Sequence, residues 1–232
     1  MSEILVVANW KSNKSAEDAK NWLTEFSQLA KSVNPSRPVK VVICPPFIDL
    51  PYLSWALTTL KVPFPVELGA QNVSPYGEGS FTGEVSAAQL TGLVNYCLVG
   101  HSERRINFHE TNQEIYSKIN NLVTNKISPI LCAQNLEEIP QEVGKLPAQE
   151  ILVMFEPAKA ISSEGVYKAE SPQTVKETVS LWQEKIGEYR YLYGGSVNEN
   201  NCRELLDSGI KGFVVGHASL SPSSFLGIIK NV

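Results

Sequence analysis

Apolar residues along the chain fall into two alternating patterns. Short runs at 4–8, 39–44, 66–70, 96–99, 127–132, 151–155, 189–193 and 212–215 are rich in Val, Ile, Leu and Tyr. Most are continuously apolar, which predicts parallel strands covered on both faces. Between them, apolar residues recur at helical spacing. Val175, Val179, Trp182 and Ile186 follow i, i+4, i+7, i+11, with Ser171-Pro172 as N-cap and first-turn proline and Gly187 as terminator. Ile115, Ile119 and Leu122 repeat that spacing, and Ser15-x-x-Asp18 reads as a capping box. A last helical pattern at 225–229 closes the chain.

Eight strands alternating with eight helices over 232 residues leave roughly 29 residues per unit, close to one βα repeat. No linker, low-complexity tract or charge block divides them. Strict alternation allows an open doubly wound sheet or a closed barrel. Eight units in one undivided chain favour the barrel, giving an α/β, single-domain (β/α)8 fold over residues 1–232.

Composition narrows the function. With 43% hydrophobic and 19% charged residues the chain is neither a coiled coil nor disordered. Twenty Lys+Arg against 24 Asp+Glu give a net charge of −4, without the basic excess of a nucleic-acid binder. No run approaches the ~20 apolar residues of a membrane helix, and the first residues lack a basic leader, so a cytoplasmic protein is expected. Cys44, Cys97, Cys132 and Cys202 are far apart, which argues against a metal site and predicts buried, reduced thiols.

Parallel barrels place their chemistry beyond the C-terminal strand ends. There the sequence sets Asn9-Trp10-Lys11, Gly100-His101-Ser102-Glu103-Arg104, Glu156-Pro157, Gly194-Gly195-Ser196 and Gly216-His217-Ala218-Ser219. One cation, one imidazole and one carboxylate converge with two Gly/Ser loops of the kind that hold an anion on backbone N–H groups. The combination predicts a site for a small phosphorylated molecule, with a base and an electrophile.

Asn9-Trp10-Lys11, Gly69-Ala70-Gln71-Asn72, Phe81-Thr82-Gly83-Glu84, 99–105, Glu156-Pro157 and 193–197 resemble the triosephosphate isomerase family in order and position. The resemblance runs from Val6 to about Ile228. It implies a TIM barrel of glycolysis and gluconeogenesis, without cofactor or metal, that interconverts dihydroxyacetone phosphate and D-glyceraldehyde 3-phosphate through an enediolate. By similarity, Glu156 is the base on carbon, His101 the neutral electrophile, and Lys11 with Asn9 the partners of the oxyanion. Ser196, Gly195, Gly216, His217 and Ser162 correspond to substrate-binding positions, with Tyr193 and Ser196 placed to latch a lid. Glu103 is expected to pair with Lys11 or Arg104, while His109 reads as exposed and Trp22, Trp55 and Trp182 as core or rim. The stretch 71–84 corresponds to an interdigitating dimer loop, with Thr82 reaching the neighbouring subunit. A homodimer is therefore implied, and the shortened segment 132–156 leaves a tetramer open.

Four departures from the family pattern stand out. The lid stretch carries Lys159 and Ser162 where the family has Trp and Gly, and Cys132-Ala133-Gln134-Asn135 replaces Cys-x-Gly-Glu. The segment 132–156 is short, and His217 stands for a glycine of the eighth-strand loop. Beside an active isomerase, these leave two readings open: a catalytically weak phosphate-binding barrel, and a different phosphate-barrel enzyme.

Overall fold

A computed structural model of the chain describes residues 3–158 and 169–232. Eight parallel strands close into a barrel in sequence order: β1 (Ile4–Asn9), β2 (Val39–Cys44), β3 (Val66–Ala70), β4 (Tyr96–Val99), β5 (Ser128–Ala133), β6 (Leu152–Phe155), β7 (Arg190–Tyr193) and β8 (Gly212–Val215). β1 pairs with β2 from Ile4↔Val39 to Asn9↔Cys44, and on its other edge with β8 from Leu5↔Gly212 to Ala8↔Val215. Gly212 is required at that seam, because a Cβ there would stand 2.0 Å from the Leu5 carbonyl oxygen.

Two cores explain the unbroken apolar runs. Leu5, Val7, Val42, Cys44, Leu98, Ile130, Cys132, Met154 and Val214 fill the barrel interior. Their strand neighbours Val6, Ala8, Val41, Ile43, Val99, Leu131 and Val153 face the helices. Each strand is therefore buried on both sides, at a gain of about 1.5–3 kcal/mol for each large side chain removed from water. All four cysteines are free and buried, and burial pushes each thiol above its ordinary pKa.

The helical layer is α1 (Ala16–Ala30), α2 (Leu50–Leu57), α3 (Ala87–Leu90), α4 (Ser102–Phe108), α5 (Asn112–Thr124), α6 (Pro172–Ile186), α7 (Cys202–Leu206) and α8 (Pro222–Lys230). Ser15 and Asp18 form the expected capping box. Ser171 caps α6 through the Thr174 N–H, with Pro172 in its first turn and Gly187 at its end. Ile115, Ile119 and Leu122 of α5 are buried, as are Trp22 and Trp182, whereas Trp55 is 69% exposed.

One helix per strand is not what forms. β4 is followed by two helices, and β5 by three short 3₁₀ turns, Leu136–Glu138, Gln141–Lys145 and Ala148–Glu150. Pro140, Gly144 and Pro147 interrupt that stretch, and a proline inside a helix removes a backbone donor and clashes with the preceding turn. Asn135 begins it as a cap, its side chain accepting from the N–H groups of Glu137 and Glu138. No helix among the described residues is long and apolar enough to cross a membrane.

Candidate active site

The site is assembled at the C-terminal mouth of the barrel. A cavity there is lined by Asn9, Lys11, His101, Met154, Glu156, Gly194, Ser196, Val197, Asn198, Val214, Gly216, His217 and Ala218. Of the residues singled out from the sequence, Asn9, Lys11, His101, Glu156, Ser196, Gly216 and His217 thus meet around one space. Gly195 is buried beside it without lining it, its neighbour Gly194 taking that place. Glu103 stands behind Lys11, and Thr82 is exposed on its loop away from the cavity. Ser162, Lys159 and the remainder of the lid stretch up to residue 168 lie outside the described residues.

His101 follows Gly100, whose φ of +70° turns the chain from β4 into α4. A side chain at that φ would be strained and would also meet the Arg105 guanidinium at 2.9 Å. His101 is then the N-cap of α4, its Nδ1 accepting from the Glu103 N–H at 3.3 Å. With Nδ1 taken up as an acceptor, Nε2 is the ring nitrogen left to face the cavity. Nε2 faces Glu156 Oε1 at 3.1 Å.

Glu156 follows β6 and is 2% exposed. Its carboxylate is held by Ser102, which donates its N–H to Oε2 at 3.0 Å and its hydroxyl to Oε1 at 2.8 Å. A buried carboxylate needs such donors, and the first turn of a helix supplies them with a favourable dipole. The role of Ser102 was not read from the sequence, because its partner lies 54 positions away.

Lys11 sits on a left-handed residue (φ 53°) and pairs with Glu103 Oε1 at 2.5 Å. Its loop is pinned by Asn9, whose side-chain oxygen accepts from the Lys11 N–H, and by Gln71, which donates to the Lys11 and Cys44 carbonyls, each at 2.9 Å. Arg104, the other expected partner of Glu103, turns away and pairs with Glu110. His109 is exposed, as expected, and stands at the C-terminal end of α4. The Tyr193 hydroxyl accepts from the Glu170 N–H at 2.9 Å, and burial raises its pKa to about 12.

A carboxylate, an imidazole and a cation gathered at the mouth of a closed parallel barrel define a (β/α)8 enzyme. A sequence model of the family described as triosephosphate isomerase matches residues 4–232. The chain is 32% identical over its whole length to the triosephosphate isomerase of Dictyoglomus turgidum, covering all of that protein. It is 35% identical to that of Alkaliphilus metalliredigens, across 99% of this chain and 100% of the relative. With that of Orientia tsutsugamushi the identity is 34%, across 99% and 98%. The chain belongs to the triosephosphate isomerase family.

Proposed function

We propose that the chain interconverts dihydroxyacetone phosphate and D-glyceraldehyde 3-phosphate in the cytoplasm, as one barrel domain spanning residues 1–232. The observation that carries this reading is the approach of the Glu156 carboxylate to His101 Nε2 at 3.1 Å, in a cavity that Lys11 and Asn9 also line. Moving a proton between adjacent carbons requires a base on carbon and a donor on the neighbouring oxygen. Glu156 takes the proton from one carbon and returns it to the other. His101 Nε2–H, Lys11 and Asn9 donate to the oxygen that gains charge in the enediolate; His101 gives its Nε2 proton to that oxygen and takes one back from the neighbouring hydroxyl, so that the carbonyl moves to the other carbon. Substrate entry exchanges the Ser102 hydrogen bonds of Glu156 for the reacting carbon.

The phosphate is assigned to the loops carrying Gly195, Ser196, Gly216 and His217, with Ser162 from the lid. Glu103 holds Lys11 by its ion pair. The protein works as a homodimer through 71–84, with Thr82 reaching the partner, and the short 132–156 segment leaves a tetramer open.

A coupled assay with dihydroxyacetone phosphate tests the reaction. Glu156→Gln is expected to lower kcat by about 10²–10⁴, the range general-base catalysis supplies, while phosphoglycolate still binds. Retention of more than about a tenth of the wild-type rate would assign the base elsewhere. Lys11→Ala is expected to weaken both binding and turnover, because its charge faces ground state and transition state alike. Unchanged substrate affinity in that variant counts against its role.

A further inference from the structure

Three residues away from Lys11, the same loop carries a second lysine in a left-handed conformation, Lys14, at φ 75°. A lysine gains nothing from that backbone, so its side chain is the place to look for a reason. Its side chain is half-buried. It crosses to the opposite side of the barrel seam and donates to the Leu220 carbonyl at 3.0 Å, passing over the Trp10 ring at 5.3 Å from the centroid. Burial draws its pKa below the ordinary lysine value, with Asp18 and Glu25 opposing the change.

Leu220 is the last residue of a 3₁₀ helix, His217–Leu220, that begins at the cavity. The preceding carbonyl in that helix, of Ser219, accepts from the buried Trp22 indole N–H of α1 at 3.0 Å. Ser219 in turn donates both its N–H and its hydroxyl to the Gly216 carbonyl, at 2.9 and 2.7 Å. The far end of this short helix is therefore fastened twice to the β1 side of the molecule, and the fastening runs through Ser219 to Gly216. At the cavity end the same two segments face each other, since a Cβ on Gly216 would lie 3.5 Å from Lys11 Cε.

We propose that Lys14 is a positioning residue, whose bond to the Leu220 carbonyl sets the placement of 216–218 opposite Lys11 and thereby the affinity for the substrate's phosphate. This rests on the functional reading above. Lys14 touches no reacting atom, so its effect belongs in binding and not in the chemical step.

Lys14→Met is expected to raise KM for dihydroxyacetone phosphate and the Kd of phosphoglycolate about three- to tenfold, as the loss of one hydrogen bond allows, with kcat within about twofold. Lys14→Arg restores both. Lys14→Gly separates tethering from stability, because glycine removes the left-handed cost while discarding the tether. Its Tm is expected to match wild type, with affinity weakened as in Lys14→Met. Trp22→Phe keeps an aromatic ring but removes the donor to Ser219, and weakens phosphoglycolate binding in the same direction. Phosphoglycolate affinity within about twofold of wild type in both Lys14→Met and Lys14→Gly overturns the proposal. So does a kcat loss as large as the affinity loss at native Tm. If the wild-type chain has no turnover yet binds inorganic phosphate, the functional reading fails alone, and the variants' phosphate affinity still judges the tether. A wild-type chain that binds neither phosphate nor phosphoglycolate overturns both.

Discussion

At the scale of single residues, the least accommodated group lies away from the chemistry. Asp49, at the start of α2, is 1% exposed, and neither carboxylate oxygen has a hydrogen-bond partner among the described residues. Burial raises its pKa. A carboxyl whose folded-state pKa lies above its unfolded value of about 3.9 favours folding fully below that value and loses the contribution as pH rises through the folded-state pKa. Asp49→Asn removes the charge while keeping the shape. Paired thermal melts of variant and wild type are expected to agree near pH 4 and to separate at pH 7, where the variant gains about 2–4 °C, equivalent to roughly 1 kcal/mol. A constant difference across that range would show that ionisation of Asp49 is not what limits the wild type. Nothing in the sequence marked this residue. An aspartate before a helix reads as a cap, and only the packed fold shows that its side chain caps nothing. Lys11, His101 and Glu156 were legible because each stands within three residues of the end of an apolar run, and the barrel makes strand ends converge.

At the scale of elements, the junction of β4, α5 and β5 depends on one side chain. Arg105 donates to the carbonyls of Gly100 (2.7 Å), Cys132 (3.3 Å) and Glu138 (2.7 Å), and to the Asn112 side chain (2.9 Å). It thereby ties the turn bearing His101 to the end of β5 and to the 3₁₀ turns that replace a helix before β6. Arg105→Met leaves buried acceptors unmatched, at a cost of about 1–3 kcal/mol each. Assuming a total near 3 kcal/mol, Tm is expected to fall by roughly 6–12 °C, which calorimetry would measure. Arg105→Lys recovers only part, because an ammonium cannot reproduce the planar fork. The strands were read nearly to the residue, since burial on both faces leaves so plain an apolar signature. The missing helix was not, because the alternating pattern favours one helix per strand and the prolines at 140 and 147 act against it locally.

For the whole molecule, the stretch 71–84 bears on the proposed state of association. Tyr76 and Phe81 stack with centroids 4.4 Å apart and planes 7° from parallel, yet they are 50% and 42% exposed. Ile106 and Phe108 of α4 are exposed as well. Aromatic surface held so firmly and left in water suits a partner surface. The proposed homodimer predicts a light-scattering mass of about twice 25.6 kDa for the wild type, falling toward 25.6 kDa in Phe81→Glu with loss of specific activity. A wild type that is fully active at the single-chain mass would remove the dimer from the account.

The four enclosed thiols carry a consequence for how the protein can be studied. A thiol shut away from water and held protonated does not alkylate, so each cysteine becomes reactive only while the structure around it is open. Cys44 and Cys132 report from inside the barrel, Cys97 from its outer wall and Cys202 from α7. Mass-resolved labelling over time therefore records, position by position, how often each layer of the molecule breathes and which opens first. The chain comes with its own built-in timers of opening, and no probe needs to be engineered into it.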